Sequence, residues 1–261
     1  MQEKLATLLR DRLGISGLAA IPNRHDREGY SLVCKGADAV ELWKKLRALA
    51  DESGYWPVIL GNDKEVGRML GVLDSEDSTS MNKFLYQVPT ETADGWLRER
   101  REANLQGFKD GYGDGWREAQ AELHGEWPAT PDPLTSFTIP LEHGRQRLPM
   151  PKVTIGLFPV KDGWQVPAYL NFGGWNECPD PVGHFLMMRK WHEKYGAELV
   201  GMNGDVIEMF VPRPPDSREE ALVLAEEQYL YCEDIVVQGT QTIESLAAGL
   251  LGNHIWFFWW D

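Results

Sequence analysis

The chain ends in Ile255-Trp256-Phe257-Phe258-Trp259-Trp260-Asp261, six bulky apolar residues before a final carboxylate. Tails are usually polar and frayed. This one has the β-branched and aromatic composition of a strand. Both alternating sets are apolar: Ile255, Phe257 and Trp259 on one face, Trp256, Phe258 and Trp260 on the other. A strand covered on both faces reads as such a continuous run. The run therefore predicts a strand internal to a sheet, and a fold that is not complete until these residues are in place.

The remaining sequence limits what that sheet belongs to. Its 261 residues suffice for one large domain or two small ones. Acidic residues number 40 against 26 basic, a formal charge of -14. Such a field repels phosphate backbones and argues against nucleic acid, while it suits a basic protein partner. Eleven tryptophans must be buried or sit at an interface. Cys34, Cys178 and Cys232 are odd in number and widely spaced, which argues against a disulfide framework or a zinc knuckle and fits a reducing cytoplasm. The opening MQEKLATLLRDRLG is a charged amphipathic pattern without a signal-peptide core, and no stretch reaches the roughly 20 apolar residues that cross a bilayer.

Leu5, Leu8, Leu9 and Leu13 predict a first helix over 2–13, and the alternation about Tyr30, Leu32 and Cys34 a strand. Val40, Trp43, Leu46 and Leu49 form one stripe of a helix over 38–53, and Trp56 to Leu60 a second strand, so this segment reads as β-α-β with a parallel pair. A short helix is expected over 64–73 and a polar one over 90–106. Residues 107–151, rich in Gly and Pro, read as a lid, long loop or joint. Beyond Pro151, Val153 to Phe158 is a strand, and Asp162-Gly163 predicts a hairpin into Trp164–Tyr169. Asp180-Pro181 opens a helix that runs to Tyr195. Two strands flank Asn203-Gly204, Ser217 caps a helix over 218–231, and another helix spans 242–251. The pattern as a whole is α+β: a mixed sheet with helices on both faces. Three segments follow: 1–105, an irregular connection at 106–151, and a C-terminal α+β domain at 152–261.

Chemistry is thinly signalled. Asp110-Gly-Tyr-Gly-Asp114-Gly115 begins like a calcium loop, but Tyr112 and Ala121 stand where the third and twelfth ligands belong. His184 and His192 lie eight residues apart, about 80° around a helix, and miss the i, i+4 spacing of a zinc pair. No metal or cofactor is expected. Cys178 precedes a helix N-terminus, which can lower a thiol pKa; His192 or His254 would be its base, and Asp205 supplies a further carboxylate. Glu177 and Asp180 oppose ionisation of that thiol. Trp175, Asn176, Trp191 and Tyr229 are the candidate binding residues.

Several segments carry a resemblance: Trp175-Asn176-Glu177-Cys178-Pro179, Trp191-His192-Glu193-Lys194-Tyr195-Gly196-Ala197-Glu198, Gly204-Asp205-Val206-Ile207-Glu208, Arg213-Pro214-Pro215, the helix from Glu219 to Cys232 with Tyr229 and Tyr231, and the tail from Trp256. Over about residues 150–261 the chain resembles the bacterial family catalogued as domain of unknown function 4253. The resemblance implies a bacterial cytoplasmic protein and carries over no catalytic residue. Charge, aromatic load and the lack of a catalytic motif together predict a non-catalytic acidic protein-binding module of the immunity or partner type. The rival expectation is a small-molecule enzyme with a pocket around Cys178 and His192.

Overall fold

Leu5 and Leu9, one turn apart, are buried on α1 (Gln2–Leu13), which sets the amphipathic first helix expected from the sequence. The computed structural model describes residues 2–21, 28–73, 91–142, 144 and 146–261. After α1 come β1 (Ala19–Ile21), β2 (Gly29–Cys34), α2 (Gly36–Ala48), α3 (Ala50–Ser53), β3 (Trp56–Gly61) and α4 (Asp63–Leu73). The helix expected over 38–53 is broken at Leu49, and Gly54 ends α3 in the left-handed conformation at φ 72°.

The β2-α2-β3 segment differs from the expected adjacent parallel pair. β4 (Val153–Phe158) lies between its two strands, antiparallel to both, with Tyr30 opposite Leu157 and Val58 opposite Gly156. β2 and β3 thus run parallel without touching. β5 (Glu198–Met202) joins the other edge of β3 in parallel, with Ile59 opposite Gly201. The Trp56 indole donates to the Leu199 carbonyl at 3.1 Å. Every residue of β3 and β4 is buried, so both faces of these inner strands are covered. With β6 (Val206–Phe210) and β7 (Ile255–Trp259) the mixed sheet has seven strands in the order β1-β2-β4-β3-β5-β6-β7. The fold is α+β, as the sequence predicts.

Residues 107–124 are helical rather than a loop. α5 (Ala93–Tyr112) and α6 (Trp116–His124) are separated by a 3-10 turn at Gly113–Gly115. Thr92 caps α5 with its hydroxyl on the Gly95 N–H; Thr90, where the expected helix began, lies outside the described residues. Asp110 of the calcium-like pattern sits in the last turn of α5 and accepts from Gln106 at 2.8 Å. The hairpin expected at 162–169 is also absent. Asp162 instead forms a capping box with Gln165, and α7 (Val166–Tyr169) follows, with Pro167 in its first turn.

α8 (Pro181–Tyr195), α9 (Arg218–Tyr231) and α10 (Ile243–Leu250) match their predicted spans within a residue. Between α9 and α10, residues Ile235–Thr240 form a π-helical turn closed by the Gln241 N–H on the Val236 carbonyl at 2.7 Å. The chain forms two compact units. One comprises Met1–Gln87, Phe137–Phe172 and Leu199–Glu208; the other comprises Val88–Ser136, Gly173–Glu198 and Met209–Asp261. These are interleaved along the sequence rather than consecutive.

The terminal run is a strand of the sheet, as its composition predicts, and among the described residues it takes the end position beside β6 rather than lying between two strands. Its two faces have different surroundings. Trp256, Phe258 and Trp260 are fully buried against Trp191, Tyr195 and Tyr231, with ring centroids 4.9–5.7 Å apart for Trp191–Trp256, Trp191–Phe258, Tyr195–Trp256 and Tyr231–Phe258. Ile255, Phe257 and Trp259 are half-buried and line a cavity. The second face is therefore apolar because it walls a hollow.

Candidate functional site

The candidate site begins in the second unit, with the loop before α8. Asp180 caps that helix, accepting from the Gly183 N–H at 2.8 Å. Cys178 is buried just ahead of it, and its Sγ lies 3.5 Å from Nε2 of His184, a fully buried residue one turn into α8. His184 Nδ1 lies 2.6 Å from the Tyr231 hydroxyl, which α9 delivers from the opposite side. The imidazole also hydrogen-bonds the Pro179 carbonyl. A neutral imidazole has one donor and one acceptor. The Pro179 carbonyl takes the donor, so Nδ1 accepts the Tyr231 O–H. Gly173 makes this approach feasible: at φ +103°, a Cβ there would sit 1.9 Å from the Pro179 oxygen.

This cluster looks like a catalytic pair but has the wrong electrostatics for one. Burial pushes His184 down to about 3, so the ring is neutral at physiological pH. Burial, reinforced by nearby Cys232, pushes the Cys178 thiol well up. The imidazole lone pair is occupied by Tyr231, which leaves no base for the thiol. Cys232 is likewise buried and raised to about 12, with its Sγ donating to the Trp259 carbonyl at 3.0 Å. Tyr231 is raised by burial too. The cluster is a hydrogen-bonded plug within an aromatic core.

The residues expected from sequence to act together have separate partners. His192 is half-buried with Nδ1 on the Ala197 carbonyl at 3.0 Å, and His254 Nδ1 faces the Val211 carbonyl at 2.7 Å. The histidine beside Cys178 is His184 instead. Asp205 occupies the β5–β6 turn, its N–H on Asn203 Oδ1 at 3.2 Å. Glu208 is buried and held by Thr138 and Ile139; burial still raises its pKa, a structural arrangement. Trp191 is fully buried and donates to Glu227 at 3.0 Å, so it is core. Trp175 is half-buried, and the exposed Asn176 side chain donates to the Asp261 backbone carbonyl. Tyr229, of the four candidate binding residues, lines an open groove.

That groove, about 680 Å3, is formed by α5, α6, the end of α9 and the π-helical turn. Tyr229 accepts from Asn104 of α5 at 2.8 Å, fixing one wall. Phe108 and Tyr112 stack at 5.8 Å along another, and Tyr112 is 61% exposed. Val237 on the π-helical turn is 51% exposed. Among the described residues of the lining, carboxylates come from Glu122, Glu177 and Glu233, against one cation, Arg100. Arg100 is already engaged: it meets the Glu177 carboxylate at 3.5 Å and donates to the Glu177 and Leu230 carbonyls at 3.0 and 3.2 Å. Glu233 is held above the usual carboxylate range, first by burial and then by Glu177 and Asp234. The sequence hid this groove because α6 did not read as a helix; Tyr112 and Glu233 carried no motif.

Among the described residues no group of three or more His, Cys, Asp or Glu side chains is placed to hold a metal ion, and no helix is long and apolar enough to cross a membrane. No curated protein and no solved structure matches the chain. One family model does match: residues 154–261 are similar to the family described as a domain of unknown function, DUF4253, which the tryptophan-rich segments of the sequence resemble.

Proposed function

We propose that the protein is a non-catalytic, acidic protein-binding module whose α5–α6–α9 groove receives a basic segment of a partner protein. The observation that carries this reading is the groove lining. Exposed aromatic and aliphatic surface at Tyr112 and Val237 stands beside carboxylates that exceed the cations among the described residues, and Arg100 is engaged by Glu177. Apolar anchors inside a field of one sign match interface physics. The net charge of -14 extends that field over the molecule and would steer a basic partner. An adjoining hollow carries Arg101 and Arg117, so the partner's Lys and Arg side chains belong at the Glu122–Glu177–Glu233 end. Covering of a basic effector, as an immunity-type protein does, is the role of this class that fits best.

The enzyme reading has less support. Cys178 is buried, its thiol is raised, and its neighbouring imidazole is occupied. The test of the binding reading is affinity capture from a bacterial lysate at low and high salt with the wild-type chain and a Tyr112→Ala/Glu233→Lys variant. Captured proteins are expected to be basic, salt-sensitive and lost from the variant. Identical capture by both chains refutes the assignment of the groove.

A further inference from the structure

A second hollow in the same unit, separate in lining from the groove, combines features that surface clefts lack. Its volume is about 500 Å3, within the roughly 300–1,000 Å3 range of small-molecule sites. One wall is the outward face of β7, with Phe257 and Trp259; another is α10, with Leu246 and Leu250. Gln228 of α9 lines it and is only 1% exposed, yet its amide nitrogen has no hydrogen-bond partner among the described residues. An unmet buried donor costs about 1–3 kcal/mol. A ligand acceptor in the cavity would relieve it.

The same lining restricts what that ligand is. Asp132 and Asp234 border the cavity, and Asp234 is already satisfied by Gln238 at 2.7 Å and the Asp261 N–H at 3.0 Å. These carboxylates disfavour an anion. Flat aromatic walls favour a ring that stacks. We propose that this cavity binds an uncharged, planar ring compound whose carbonyl oxygen accepts from Gln228. The site is independent of the groove and of the partner assigned to it.

Coumarin, a neutral ring lactone, and coumarin-3-carboxylate, its anionic counterpart, are the probes. Titration calorimetry and melting are run on the full chain. Coumarin is expected to bind saturably at one site and raise the melting temperature, with the carboxylate about tenfold weaker or worse. Gln228→Met keeps side-chain length and removes the donor; it is expected to bind coumarin about tenfold more weakly, the value of one hydrogen bond, while melting no lower than wild type without ligand. Trp259→Leu removes an aromatic wall of the cavity and is the second variant, with weaker coumarin binding expected and equal binding counting against the proposal. Three results overturn the proposal: no saturable coumarin binding, equal binding by Gln228→Met, or binding of the carboxylate as tight as that of coumarin. Should Gln228→Met fail to fold, the Trp259→Leu and carboxylate comparisons decide alone.

Discussion

His184 makes the protein sensitive to acid in a way that can be isolated. The ring is fully buried, and folding moves its pKa from the ordinary 6.5 down to about 3. Below pH 6.5 the unfolded chain takes up a proton that the native state refuses. Stability contributed by the neutral ring is thus complete above pH 6.5 and falls as pH drops, until native protonation begins near 3. Each pH unit in that window costs about 1.4 kcal/mol. Between pH 7 and pH 4.5 the loss is about 3 kcal/mol, against a net stability of about 5–15 kcal/mol for a typical domain. The perturbation is His184→Gln, which cannot titrate. Urea unfolding of both chains at half-unit steps from pH 7 to 4.5 gives two curves. Surface carboxylates contribute equally to both and cancel. The wild-type curve is expected to be steeper by about 1.4 kcal/mol per pH unit below 6.5. Parallel curves would show that the ring is protonated in the native state, and that the buried plug of Cys178, His184 and Tyr231 does not exist as described.

Other outcomes follow from the same core. Deleting Trp256 to Asp261 removes three fully buried aromatic side chains, at about 3–5 kcal/mol each, and should leave no cooperative melt; a monomeric fragment with a sharp transition would refute the packing of β7. Cys178, isolated by Cys34→Ser and Cys232→Ser, should resist alkylation at pH 8 until denaturant is added, whereas half-maximal reaction below pH 7 would restore it as a nucleophile. Gly173→Ala places a methyl group against the Pro179 carbonyl at a left-handed position and should cost at least about 2 kcal/mol in chemical denaturation; an unchanged midpoint would contradict the loop geometry.

Elements with caps and clear spacing were legible in the sequence. Asp180-Pro181, Ser217 and Asn203-Gly204 fixed their boundaries through local hydrogen bonds, and the structure keeps those boundaries. What escaped was non-local or aperiodic. β4 enters between β2 and β3 from more than ninety residues downstream of β3, a pairing that no local pattern encodes. α8 buries Gly183 through Met188 without a break, so helical periodicity could not single out His184 as the interior histidine. Glycines at 111, 113 and 115 masked the helix-forming run that follows them, and with it a wall of the groove. Gln228 looked like any polar helix residue because an unmet donor is a property of surroundings, not of sequence.

The position of β4 also bears on how the family match is used. Residues 154–261 would be the natural fragment to express, since that is the extent of the recognised domain. Yet both sheet neighbours of β4 come from residues before Asn62, and β5 pairs with one of them. Cut at residue 154, the fragment would expose two long edges of a strand that is apolar on both faces, a template for intermolecular pairing. The segment that matches the family model is therefore not expected to fold by itself in this chain. It holds β4 to β7, and the strands that flank β4 lie outside it.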